Sequence, residues 1–122
     1  MKNEFNENRQ NFDKTNLEEV LNNYDDLNEK FEKQGKLKKF LSEFKLLFNM
    51  SRDYFKGDYT VIPWYIIAAI GSTLLYVLSP IDAIPDIIPI VGYVDDAAVM
   101  ALCLKFVNIE IEEYKKWKFN QS

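Results

Sequence analysis

Residues 61–96 read VIPWYIIAAIGSTLLYVLSPIDAIPDIIPIVGYVDD, and the contrast between the two halves of this stretch decides the fold. Val61 to Leu78 carries no charged side chain. As an α-helix rising ~1.5 Å per residue it extends roughly 27 Å, close to the ~30 Å hydrocarbon core of a bilayer. Pro63 falls in its first turn, where a missing N–H costs little, and Tyr59, Trp64 and Tyr65 stand at the level of a membrane interface. The same residues suit a fully buried bundle helix, because Gly71, Ser72 and Thr73 allow another helix to approach closely. An apolar helix is thus expected here, inserted in a membrane on the first reading and buried in a bundle on the second.

The second half cannot continue that helix. Pro80, Pro85 and Pro89 remove backbone donors, and each biases its predecessor, Ser79, Ile84 or Ile88, away from the α region. Gly92 then permits the reversal of the chain. Ser79, Pro80 and Asp82 have the spacing of a capping box with Asp in place of Glu, and Asp95 is placed to cap the helix that follows. This last helix is expected to begin near Asp95 and run through Ala97 to about Trp117, apolar all round from Ala97 as far as Leu104 and mixed with charge from Lys105 onward. Its uncharged part is too short to cross a bilayer alone.

Upstream, Leu17, Val20, Leu21, Tyr24, Leu27 and Phe31 recur at helical spacing with acids between them, which predicts an amphipathic helix capped by Thr15 or Asn16 and broken at Gly35. A second such helix carries Leu37, Phe40, Leu41, Phe44, Leu47, Phe48, Tyr54 and Phe55, with Lys38, Lys39, Lys45, Arg52 and Lys56 mainly off that stripe, and stops at Gly57-Asp58. Two roles fit its aromatic, basic-rimmed face. It is a core helix with solvated lysines, or it lies in the headgroup plane of an anionic membrane, with Trp64 and Tyr65 as further membrane-surface residues. Residues 1–14 read as a disordered polar tail with Phe5 and Phe12 as its apolar anchors. The chain thus divides into a tail (1–14), two amphipathic helices (15–56), and an apolar helix, Asp/Pro turn and C-terminal helix (57–122).

Charge is segregated along the 122 residues, whose formal total is −4. Residues 1–34 carry −4, 35–56 carry +4, 57–104 carry −5 with no Lys or Arg, and 105–122 carry +1. An acidic balance argues against general nucleic-acid binding, while basic flanks around an acid-only middle place both ends on the cytoplasmic side of a membrane. Cys103, the one cysteine, lies in an apolar run and is expected to be a buried thiol. No signal peptide is read at the N-terminus, since the first apolar run follows Tyr59.

The order Tyr76-x-Leu78-Ser79-Pro80-Ile81-Asp82-x-Ile84-Pro85-Asp86-x-Ile88-Pro89-x-x-Gly92-x-x-Asp95-Asp96 resembles the defining stretch of the YkvA family without a gap. That resemblance implies a bacterial membrane-associated domain of unknown function; a similar segment occurs in a RING-type ubiquitin ligase of the endoplasmic reticulum membrane. No activity comes with it. The fold class expected is all-α, an apolar helical hairpin flanked by amphipathic helices.

Asp82, Asp86, Asp95 and Asp96 are the candidates for chemistry. Brought together by a hairpin, they could bind Mg²⁺ or Ca²⁺ or share protons. Alternatively they satisfy helix-start N–H groups and face water. Their spacing matches no EF-hand, and the chain has no histidine for a transition metal or for acid–base work. The expectation is a non-enzymatic membrane protein without a cofactor, a structural or adaptor module whose partners are membrane lipids and another membrane or cytoplasmic protein. The alternatives are a soluble helical module that binds a protein or closes a homo-oligomer, and a carboxylate-metal enzyme, which lacks a nucleophile or phosphate loop to accompany the acids.

Overall fold

Asp13 starts the first helix. Its carboxylate accepts the Asn16 N–H at 3.1 Å, and the Asn16 side chain accepts the Asp13 N–H at 2.9 Å. This reciprocal box satisfies two backbone donors at once, which is why the cap lies earlier than the Thr15 or Asn16 expected from the sequence. The computed structural model describes residues 12–78 and 95–121. Among them are helices α1 (Lys14–Leu21), α2 (Tyr24–Lys33), α3 (Gly35–Lys38), α4 (Leu41–Lys56), α5 (Trp64–Leu78), α6 (Asp96–Phe106) and α7 (Asn108–Gln121), and no strand.

Each amphipathic segment is more broken than its periodicity suggests. Asn22 and Asn23 interrupt the first, the Asn23 amide donating to the Glu19 carbonyl at 2.7 Å in competition with the helix ladder. Gln34 is extended (φ −88°, ψ 123°), and Lys39-Phe40 turns the chain again before α4. Gly57 ends α4 at φ 87°, the left-handed conformation that favours glycine. The C-terminal helix breaks at Val107 (φ −105°, ψ 17°) into α6 and α7.

Helix α5 is the hub, packing against α1, α2, α4 and α6. Ile67, Ile70, Leu74 and Val77 are fully buried against these neighbours, and the Thr73 hydroxyl is satisfied by the Ala69 carbonyl at 2.8 Å. A helix hydrophobic all round is expected wherever it is enclosed on all sides, by lipid or by protein. Here protein covers most of it, leaving Tyr65 exposed. The expected transmembrane segment from Val61 to Leu78 is corrected accordingly: the described helix has 15 residues, roughly 22 Å at ~1.5 Å per residue, and Val61 and Ile62 precede it. Among the described residues no helix is long and apolar enough to cross a membrane.

The aromatic stripe of α4 also faces inward. Phe44 stacks on Phe31 of α2 with ring centroids 4.5 Å apart, and Tyr24 meets Phe44 at 5.6 Å and Phe48 at 4.9 Å. Of the two roles open to that stripe, the structure gives it the core, leaving Lys38, Lys39, Lys45 and Arg52 exposed. Phe12, one of the two apolar anchors of the expected tail, is buried too, its ring lying on Gly71 of α5 and 6.1 Å from Trp64. One continuous core runs from Phe12 to Tyr114 across all the longer helices. Cys103 lies in it, where burial pushes the thiol up to about 11.

Candidate functional site

The Asp/Pro turn leaves α5 at Leu78 and re-enters the described fold at Asp95, and α2 and α3 hold both ends. Lys30, on α2, donates to the Val77 carbonyl at 2.8 Å and the Leu78 carbonyl at 3.4 Å. The last carbonyls of a helix have no partner within it and carry its negative pole, so an ammonium there satisfies both demands. Lys36, on α3, reaches the Asp95 carboxylate at 3.2 Å. The other oxygen of Asp95 accepts the Ala98 N–H at 2.8 Å and caps α6. That backbone bond, aided by Lys36, holds the Asp95 carboxyl below its ordinary value. Asp96 differs. Half-buried, it is pushed up by burial, against the opposing charge of Lys30, and raised further by neighbouring Asp95.

Beside Leu78 opens a cleft of about 420 Å³ lined by Asp26, Glu29, Lys30, Lys33, Gln34 and Leu78. Its rim mixes both signs of charge. Among the described residues no group of three potential ligands could hold a metal ion. Ser79, Pro80, Asp82, Pro85, Asp86, Pro89 and Gly92 lie outside the described residues. The four-acid cluster expected from the sequence is therefore described only at Asp95 and Asp96, with Asp95 already engaged by a helix cap and a lysine.

The remaining candidates are dispersed. Lys38, Lys39, Lys45 and Arg52 are solvent-facing along α3, its exit and α4, and Tyr65 is exposed on α5. Trp64 is half-buried between Phe12 and Tyr54, with ring centroids 6.1 and 5.9 Å away, so its ring is occupied by the core rather than free at a surface. Sequence reasoning missed Lys30 and Lys36 as holders of the turn, because partners 47 and 59 residues apart leave no local signal. It also missed a second polar centre. Asp53, 5% exposed, accepts the Tyr114 hydroxyl at 2.6 Å and the Lys118 ammonium at 3.1 Å, tying α4 to α7.

A family described as a protein of unknown function (DUF1232) matches residues 66–102. The uncharacterized membrane protein YkvA of Bacillus subtilis (strain 168) is 34% identical over 86 residues, covering 70% of this chain and 81% of that protein. The chain belongs to this YkvA-like family. No solved structure matches it. The DUF1232 stretch takes in α5 from Ile66, the Asp/Pro turn, and α6 as far as Leu102. The unit matched is thus a helical pair with its connecting turn, whereas Lys30 and Lys36, which hold the ends of that turn, lie upstream of it.

Proposed function

We propose that this YkvA-like chain is a membrane-associated structural or adaptor protein that embeds in the cytoplasmic face of a bacterial membrane without crossing it, and presents the Asp/Pro turn from a fixed helical frame. The observation that carries this is the double grip on the turn: Lys30 on the carbonyls of Val77 and Leu78, and Lys36 on Asp95. A frame that fixes both ends of a Pro-rich connection limits the conformations open to it, which suits recognition by a partner. Membrane association rests on the description of the YkvA relative as a membrane protein and on the apolar side chains that the fold leaves exposed. The packing of α5 against four other helices supports embedding over spanning.

The partners on this account are membrane lipids and a protein that reads the turn, with no catalytic role assigned. Fractionation of native membranes tests it. The protein should sediment with the membrane through high-salt and carbonate washes and come off with detergent. Recovery in the soluble fraction without detergent contradicts membrane association.

A further inference from the structure

Helices α5 and α6 run antiparallel, as two contacts and one electrostatic interaction indicate. Lys30 binds the C-terminal carbonyls of α5 and faces Asp96 at the start of α6; the Cys103 thiol lies 4.0 Å from the Ala69 carbonyl; and Tyr59, just before α5, meets Tyr114 of α7 at a ring distance of 5.1 Å. One turn beyond the Cys103–Ala69 contact, Phe106 therefore stands level with Tyr65. At this end, remote from Leu78 and Asp95, the fold leaves large apolar groups uncovered: Val61 is 80% exposed, Tyr65 62%, Leu102 52%, Phe106 58% and Ile109 69%. Leu102, Phe106 and Ile109 follow one another at helical spacing, with Ala98, Ala101 and Lys105 exposed beside them. Single exposed apolar residues are ordinary, but a run of them along α6 and across its junction with α7 marks an interaction surface.

We propose that this outward face of α6, with Val61 and Tyr65, is the surface that lies in the membrane, buried to the boundary between headgroups and acyl chains. The inference deepens the membrane reading given above and depends on it. Charge chooses lipid over a second copy of the chain. Lys105 is the sole charged residue of α6 between Ala98 and Phe106, and among the described residues no carboxylate forms an ion pair with it. Closure by another protomer would desolvate that ammonium, a costly step without a partner. At a bilayer the long stem lies along the apolar surface while the ammonium reaches the phosphate layer. Tyr65 has the same amphipathic character, an apolar ring ending in a hydroxyl.

The test is flotation with phosphatidylcholine vesicles, with and without added phosphatidylglycerol, comparing the full-length wild type with Leu102→Glu/Phe106→Glu. Both substituted sites are exposed, so the helical circular dichroism of the variant should match the wild type. Lys38→Gln/Lys39→Gln/Lys45→Gln serves as a second variant, away from the face. The wild type should float with both vesicle types, the Glu variant should lose at least about tenfold in partitioning, and the Gln variant should retain binding to neutral vesicles. Equal flotation of wild type and Glu variant overturns the face while leaving membrane association standing. A wild type that fails to float removes both. Sedimentation equilibrium completes the test: a wild-type dimer that the Glu substitutions convert to monomer would assign the face to a second copy and overturn the lipid proposal.

Discussion

Asp53 sits among groups that pull its proton equilibrium in opposite directions. Burial alone would raise the carboxyl, but the Tyr114 hydroxyl, the Lys118 ammonium and the charge of Arg52 together hold it below its ordinary value. Its contribution to stability is therefore fully present above the unfolded aspartate pKa of about 3.9 and is lost as pH falls through the lower folded value. Asp53→Ala leaves the Tyr114 hydroxyl without its acceptor in the core, and urea unfolding should show a loss of about 1–3 kcal/mol. Tyr114→Phe should cost less, because both the donor and its need for a partner disappear together. Lys118 is half exposed, and solvent screens its share. None of this was legible beforehand, since Asp53 reads as one of many acids and its partners are 61 and 65 residues away. Asp95 was legible as a cap because its position before an apolar helix is a local signal. The cap at Asp13 was obscured by Thr15 and Asn16, which are equally capable by residue type.

At the scale of elements, the family turn depends on contacts made by α2 and α3. Replacing Lys30 with Met keeps the aliphatic stem but removes the ammonium from the carbonyls of Val77 and Leu78 and from beside Asp96. Thermal unfolding should register a loss of about 1–2 kcal/mol. Asp96 provides a second readout. Its folded carboxyl is already raised by burial, so its ionisation opposes folding at neutral pH and that penalty is relieved as pH falls through the raised value. Without Lys30 the carboxyl should titrate still higher, and an NMR titration of Asp96 that is unchanged in Lys30→Met would contradict the arrangement. The Phe12 ring on Gly71 makes a further element-level claim. A methyl at position 71 meets that ring, so Gly71→Ala must displace Phe12. The gain of ~1 kcal/mol in helix propensity then competes with the ~2 kcal/mol that burial of a Phe contributes. Gly71→Ala should be mildly destabilising, and Phe12→Ala should cost several-fold less in the Gly71→Ala background than in the wild type, as measured by urea unfolding. Helix existence was readable from the 3.6-residue periodicity, and the stop at Gly57 from its residue type. The breaks at Asn22-Asn23, Lys39-Phe40 and Val107 were not, because no Pro or Gly marks them.

Taken whole, the molecule encloses its least polar helix in protein and leaves a smaller apolar surface outside. The all-α class and the family were both legible in the sequence, the first from periodicity and the second from the Pro, Asp and Gly order between Tyr76 and Asp96. Hydropathy could not say what surrounds α5, because a bilayer and a ring of amphipathic helices demand the same side chains. Ile70 separates the two environments. It is fully buried against protein, so Ile70→Lys should abolish cooperative unfolding and most helical circular dichroism even where no lipid is present, at a cost of several kcal/mol. Hydrogen exchange of the α5 amides, measured free in detergent-free buffer and again on lipid nanodiscs, is the most direct test of this enclosure. Amides from Ile67 to Val77 should be among the slowest to exchange in both settings, opening only with global unfolding. Fast exchange in buffer that becomes slow only on nanodiscs would show that lipid, and not the surrounding helices, encloses α5.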